Sequence, residues 1–543
     1  MFKKNRELLL LLIILAIAAF FRLWQLGSIP PGFYPDVAIN GNDALNSLKT
    51  GDFKVFYPDN NGREGLFMWL IAASFSIFGV SVFAIKIVAA IIGILTVLGL
   101  YLLTKELFSS CHESGARGIA LLASFFLSVS FWHTNFSRIG FRAILLPFIL
   151  VFSFYFLFRA LRTPLLRPAS APASAGEQGF GGQEKIWSFI LAGVFFGLGF
   201  YTYTSFRMAV LILPFIFIPY WFIYKKQSLQ KLFLIHTSYF LILTFLVALP
   251  LGIYFLQNPQ DFISRATPVS IFAAENPLKE FGKSLILHLG MFNFYGDPNW
   301  RHNFSGFPML FLPIGILFLI GLAFSIKESI SSIKHKNFLI HNSYFMLLGW
   351  FFIMLLPGIL TFEGIPHSLR VIGALPVVFI FAGLGAWKTF EFLNSWSDRK
   401  KLLIFTSLFF LLAIGVSEFN KYFFVWAKNP KVEEAFTKNY YDIGNYLNSL
   451  PLKVQKYVIV NELGHPLYGI SIPAQTPMFI ESTKFGRTDS TYLKFEDLDQ
   501  IKVEQKKTVI IPLYDGRTFE ELSKRFPGGK IKEEKAFQFY EVY

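Results

Sequence analysis

Apolar runs of about 17–25 residues, separated by short basic loops, recur from the start of the chain to about residue 418. Coiled as a helix, a run of that length matches the hydrocarbon thickness of a bilayer. Lipid offers no partner for backbone N–H and C=O groups, so helices are the expected spanning form. Eleven spans are read, at about 8–24, 82–104, 118–134, 143–160, 187–203, 208–224, 232–255, 306–325, 342–360, 371–387 and 402–418. A further stretch at 65–79 reads as an interfacial helix or another span. Composition agrees: 54% of the 543 residues are hydrophobic, 67 are Phe and only 16% are charged, where soluble domains carry roughly a quarter charged residues.

The net charge of +15 follows from orientation and is not read as a nucleic-acid footprint. Loops counted as cytoplasmic are basic throughout, from Lys3, Lys4 and Arg6 through Lys105, Arg117, Lys225, Lys226 and Lys231 to Arg399, Lys400 and Lys401. That bias places the N-terminus in the cytoplasm. The opening run "MFKKNRELLLLLIILAIAAFF" carries a cleavage-like Ala16-Ile17-Ala18, yet continues through Phe20 and Phe21, and is read as an uncleaved anchor. One cysteine, Cys111, excludes an intramolecular disulfide.

The Pro/Ala/Gly/Ser-rich stretch 163–185 reads as a flexible cytoplasmic linker. Two external loops are long, 25–64 and about 256–305. Residues 419–543 change character, with helical segments near 430–450, strand-like "KYVIV" at 456–460 and "KTVIIPLY" at 507–514, and a final "FQFYEVY". The expectation is a transmembrane domain over 1–418 followed by a small extracytoplasmic α/β domain over 419–543.

External loops should be poor in arginine, yet they hold Arg63, Arg138, Arg142, Arg207, Arg265, Arg301 and Arg370. An arginine at a membrane edge can snorkel, but guanidinium groups also bind phosphate. Polar and aromatic residues accompany them: Tyr201 beside Arg207; Asp297 and His302 beside Arg301; His367 beside Arg370. Each has a plain alternative, as part of an aromatic belt or as an exposed loop residue. In "FYPDVAINGNDA", Asp36, Asn40 and Asp43 are spaced to share one face of a helix. A carboxylate at such an edge can take a proton from an attacking hydroxyl, and cations can stabilise a departing phosphate. A divalent metal is conceivable there, without a clear ligand set in the sequence.

These segments resemble the membrane-embedded GT-C glycosyltransferases, the group of protein O-mannosyltransferases and lipid A aminoarabinose transferases. The resemblance rests on Asp36, Ala38 and Ala44, on Gly51-Asp52, and on "NGREGLFMWLIAASFSIFG" and "AIKIVAAIIGILTVLGLYLLTKELF". It runs over about 8–390 and is strongest in 22–108. It implies that Asp36 is the catalytic base, that the donor is a polyprenyl-phosphate-linked sugar, and that transfer inverts the anomeric centre. Arg63-Glu64 falls where relatives place a functional charged pair. Val37 replaces a common Glu, and Arg138 and Arg142 stand where some relatives are acidic, which argues against a two-carboxylate metal site. The Trp-Trp-Asp motif of oligosaccharyltransferases is absent from the chain.

The expected function is sugar transfer to a protein, lipid or glycan at the external face of the plasma membrane, with membrane lipids as further partners. The alternative is a transporter or flippase of a lipid-linked glycan, although no repeated halves are visible.

Overall fold

The computed structural model describes residues 2–109, 113–162, 175–263, 267–335, 338–396, 399–462, 466–467, 470–504, 506–514 and 516–543. Cys111, Arg265 and residues 163–174 of the expected linker lie outside that set, and a helix Ala175–Gly199 begins within the linker's second half.

The chain is mostly helical. Among the described residues, seven helical segments are long and apolar enough to cross a membrane: Val82–Leu107, Arg142–Leu161, Thr204–Lys226, Gln230–Gln257, Leu312–Ser332, Ile372–Trp396 and Lys400–Trp426. The other four expected spans fall on Phe2–Leu23, Glu113–Val129, Ala175–Gly199 and Phe338–Ile359. Several boundaries differ from the sequence reading, and the spans read as 371–387 and 402–418 run on to Trp396 and Trp426. The expected run 118–134 breaks at Ser130, whose hydroxyl caps a separate short helix, Phe131–Phe136. The expected start at 306 gives way to a loop, and the helix begins only at Leu312. The 65–79 stretch forms Leu66–Phe78, whose 13 residues rise only about 20 Å and fall short of a hydrocarbon core.

The chain divides into two compact units. The first comprises Met1–Trp24, Ala89–Ser137 and Arg142–Phe424; the second comprises Gln25–Val88, Arg138–Phe141 and Val425–Tyr543.

Within the first unit, backbones approach closely where glycine permits. A Cβ on Gly321 would lie 1.9 Å from the Phe381 carbonyl oxygen, and one on Gly385 1.9 Å from that of Leu317. Helices Leu312–His335 and Leu375–Trp396 therefore pack through small residues, the contact that close helix association in lipid favours. Tyr201 supports a proline-interrupted helix. Its hydroxyl donates to the Val247 carbonyl at 2.9 Å and accepts from the Leu251 N–H at 3.3 Å, bridging the ladder beside Pro250.

In the second unit, helix Pro35–Thr50 starts with proline at its first turn, after the extended Tyr34, and ends at Gly51, whose φ is 75°. It buries Val37, Ala38, Gly41, Ala44 and Leu45. A Cβ on Gly41 would come within 2.6 Å of Ile85 and 2.7 Å of Phe479, so this face fits tightly against helix Gln475–Phe485. The hairpin Phe56–Tyr57 with Arg63–Glu64 follows. The carboxy-terminal part of the unit forms a five-stranded sheet in the order Thr491–Lys494, Gln455–Val460, Thr508–Pro512, Phe537–Val542, Lys530–Glu534. The first three strands pair parallel, and Phe537–Val542 pairs antiparallel with both Thr508–Pro512 and Lys530–Glu534. Central Thr508–Pro512 is wholly buried, whereas the charged edge strand Lys530–Glu534 is wholly exposed, as an edge that resists pairing should be. Helices Pro430–Ala435 and Lys438–Ser449 precede the sheet.

Candidate functional site

Asp36 stands in the first turn of helix Pro35–Thr50, where a negative charge is favoured by the helix dipole. One oxygen, Oδ1, accepts a hydrogen bond from the Asn60 amide at 2.9 Å. The other oxygen has no protein partner among the described residues, and the side chain is half-buried. One edge of the carboxylate is thus held and the other is open.

Asp43 lies two turns further along the same helix and is engaged differently. Its Oδ2 meets Arg63 Nη1 at 2.6 Å, and the same nitrogen donates to Asn40 Oδ1 at 3.0 Å. Arg63 is buried, its Nε donates to the Asp59 carbonyl, and its guanidinium lies over the Tyr57 ring. Burial pushes the Asp43 carboxyl above its usual range, and Arg63 pulls it back only in part. Glu64, next to Arg63 on the same hairpin strand, is also buried. Arg138 is also buried in this unit and donates to the carbonyls of Gln25 and Ile29 at 3.1 and 3.0 Å. Lys86 Nζ reaches the Pro30 carbonyl at 3.3 Å. Two basic side chains therefore fasten the loop that leads to Asp36.

The remaining predicted residues belong to the first unit, where a second polar cluster is built around Asp297. Its Oδ2 accepts from Ser368 N and Oγ, both at 2.8 Å, and lies 3.1 Å from His302 Nδ1; its Oδ1 accepts from Asn299 N at 2.8 Å. His367 Nδ1 lies 4.0 Å from the same Oδ2. Burial alone would raise the Asp297 carboxyl, but His302, His367 and the Asn299 N–H outweigh it and hold the group well below the usual carboxylate range. His288 accepts from the His367 main-chain N–H through Nε2, while its Nδ1 faces the Ser284 carbonyl at 2.8 Å. Burial brings His288 down to about 4, consistent with a neutral ring protonated at Nδ1.

Asp297, His302 and His367 each offer one ligand atom, all within 4.8 Å of one another. A carboxylate with two imidazoles suits zinc or a similar borderline cation, and His367 Nδ1 is buried without a hydrogen-bond partner among the described residues. Asp297 Oδ2, however, is already occupied by the Ser368 donors.

The external arginines of this unit make local contacts. Arg207 lies over the Phe262 ring at 4.2 Å and bonds its carbonyl. Arg370 donates to Thr361 Oγ1 and to the Glu363 carbonyl. Arg142 lies 5.5 Å from the Tyr203 ring centroid, and the Arg301 carbonyl accepts from Asn135. Tyr201 bridges the helix ladder described above. The structure thus pairs Asp43 with Arg63 and gathers Asp297, His302 and His367.

Asn60 and His288 escaped the sequence reading. Asn60 hides in a turn signal, "DNNG", and His288 on an amphipathic helix where Ser284, four residues earlier, was the available clue.

Residues 66–168 match the family model described as dolichyl-phosphate-mannose-protein mannosyltransferase. No curated protein matches the chain. Among solved structures, the chain is similar to ArnT from Cupriavidus metallidurans bound to undecaprenyl phosphate, with 10% identity and a TM-score of 0.55 over 99% of this chain and 97% of that one. The apo form of the same protein matches with 10% identity and a TM-score of 0.55 over 100% and 98%. A fainter likeness, TM-score 0.48 at 14% identity over 100% and 74%, is to the oligosaccharyltransferase AglB from Archaeoglobus fulgidus in complex with an inhibitory peptide and a dolichol-phosphate. The resemblance read from the sequence is borne out, and the whole chain shares the ArnT fold.

Proposed function

We propose that this protein is an inverting glycosyltransferase that moves a sugar from a polyprenyl-phosphate donor to an acceptor at the external face of the plasma membrane. The observation that carries the reading is Asp36, a first-loop carboxylate with one oxygen held and the other open, in a chain with the ArnT fold. ArnT was solved with undecaprenyl phosphate, which supports a lipid-phosphate donor here. The basic cytoplasmic loops support a cytoplasmic N-terminus, an external Asp36 and an external carboxy-terminal segment.

In this reading the acceptor's hydroxyl or amine attacks the anomeric carbon from the face opposite the phosphate. Asp36 takes the acceptor proton on its open oxygen as the new bond forms. The bond from the anomeric carbon to the phosphate oxygen breaks, and its electron pair leaves with the lipid phosphate. One displacement inverts the centre once. External arginines, among them Arg138, Arg142, Arg207 and Arg370, are proposed to stabilise the charge growing on the phosphate.

Mass analysis of surface glycans, lipids and glycoproteins from cells with and without the protein tests this reading. A single sugar increment that disappears with the protein supports it. Unchanged surface glycans alongside altered movement of a lipid-linked glycan would favour a flippase instead.

A further inference from the structure

The loop Pro58–Gly62 joins two short paired strands, and its backbone is unusual. Asn60, Asn61 and Gly62 have φ of 55°, 60° and 84° in succession. Left-handed backbone costs least for glycine and is tolerated by asparagine, so "DNNG" is a sequence suited to this path. Packing fixes the turn: a Cβ on Gly62 would meet the Phe56 ring at 2.4 Å, and Arg63 Nε donates to the Asp59 carbonyl at 3.2 Å. The path aims the Asn60 side chain at helix Pro35–Thr50, where its amide donates to Asp36 Oδ1. Asn61, with nearly the same backbone, makes no side-chain hydrogen bond among the described residues.

We infer that Asn60 is a positioning residue that fixes the plane of the Asp36 carboxylate and directs its second oxygen at the acceptor. The inference rests on the reading of Asp36 as the base. A carboxylate free to rotate presents its lone pairs in many directions, and small misplacements at a reacting centre lower the rate steeply. An amide donor on one oxygen removes that freedom without competing for the other oxygen or for the acceptor's proton. The turn is strained backbone placed beside the proposed base, the kind of location where strain accompanies function.

The test compares Asn60→Gly, Asn60→Asp, Asn61→Gly and Asp36→Asn as full-length protein in detergent. The probes are radiolabelled undecaprenyl-phosphate mannose, glucose and aminoarabinose, with a solubilised membrane extract as acceptor. Glycine and aspartate both tolerate left-handed backbone, so the turn survives each change. Asn60→Gly should lower kcat about tenfold with KM nearly unchanged, the pattern of a group acting in the transition state. Asn60→Asp should be slower still, because it sets an acceptor and a like charge against Asp36, while Asn61→Gly should match the unaltered protein. A purely structural turn predicts the reverse order, with Asn60→Asp close to normal. Normal kcat in Asn60→Asp alongside an inactive Asp36→Asn overturns the positioning role alone. Full activity in Asp36→Asn overturns the base assignment beneath it.

Discussion

Arg63 and Asp43 form a buried ion pair at 2.6 Å, with the arginine side chain 1% exposed and the aspartate 14%. The sequence places Asp43 on the helix face of Asp36 and Arg63 among the external arginines, yet each meets the other inside the fold. Breaking such a pair leaves a charge without its partner. Arg63→Gln should lower thermal stability in detergent more than Asp43→Asn, since Asn keeps an oxygen for Arg63 to bond. A double-mutant cycle should return a coupling of about 0.5–3 kcal/mol. Additive losses would show that the pair is not coupled.

Asp297 sets a pH dependence. Its carboxyl is held below the usual range, so its contribution is full above the unfolded value and is lost only as pH falls below the ordinary carboxylate range. Asp297→Asn should destabilise the protein at every pH from about 5 to 8, by about 1.5–3 kcal/mol for weakening bonds to a charged acceptor. Hydrogen exchange should quicken at Asn299 and Ser368, whose N–H groups the carboxylate accepts. Unchanged exchange at both would show that the cluster is not organised around Asp297.

The membrane character, most helices and three strands of the terminal sheet were legible because each rests on a local pattern: apolar run length, period-two alternation, charge bias. Strands Thr491–Lys494 and Lys530–Glu534 were not, because both lie at sheet edges and carry polar residues. Asp36 could be picked out by position and resemblance. Its partner Asn60 could not, because the bond depends on three consecutive left-handed residues that the sequence presents only as a turn. The pairing of Asp43 with Arg63 was hidden for a related reason: the two are brought together by a hairpin and a helix, which no local pattern reports.

The cationic rim is tested by binding. Replacing Arg138, Arg142, Arg207 and Arg370 singly by Gln should weaken affinity for undecaprenyl-phosphate sugar in at least one case by about ten- to a hundredfold. Arginines that only fasten loops would lower stability and leave affinity unchanged, and that outcome in all four would contradict the phosphate role.

The central claim is that Asp36 accepts the acceptor's proton, and transfer by Asp36→Asn measures it most directly. Asparagine keeps the size of the side chain and cannot take a proton at neutral pH. Transfer from undecaprenyl-phosphate sugar should fall at least about a hundredfold, with melting temperature and donor affinity close to those of the unaltered protein. Near-normal transfer by Asp36→Asn would contradict the account and leave Asp36 as a helix-start residue held by Asn60.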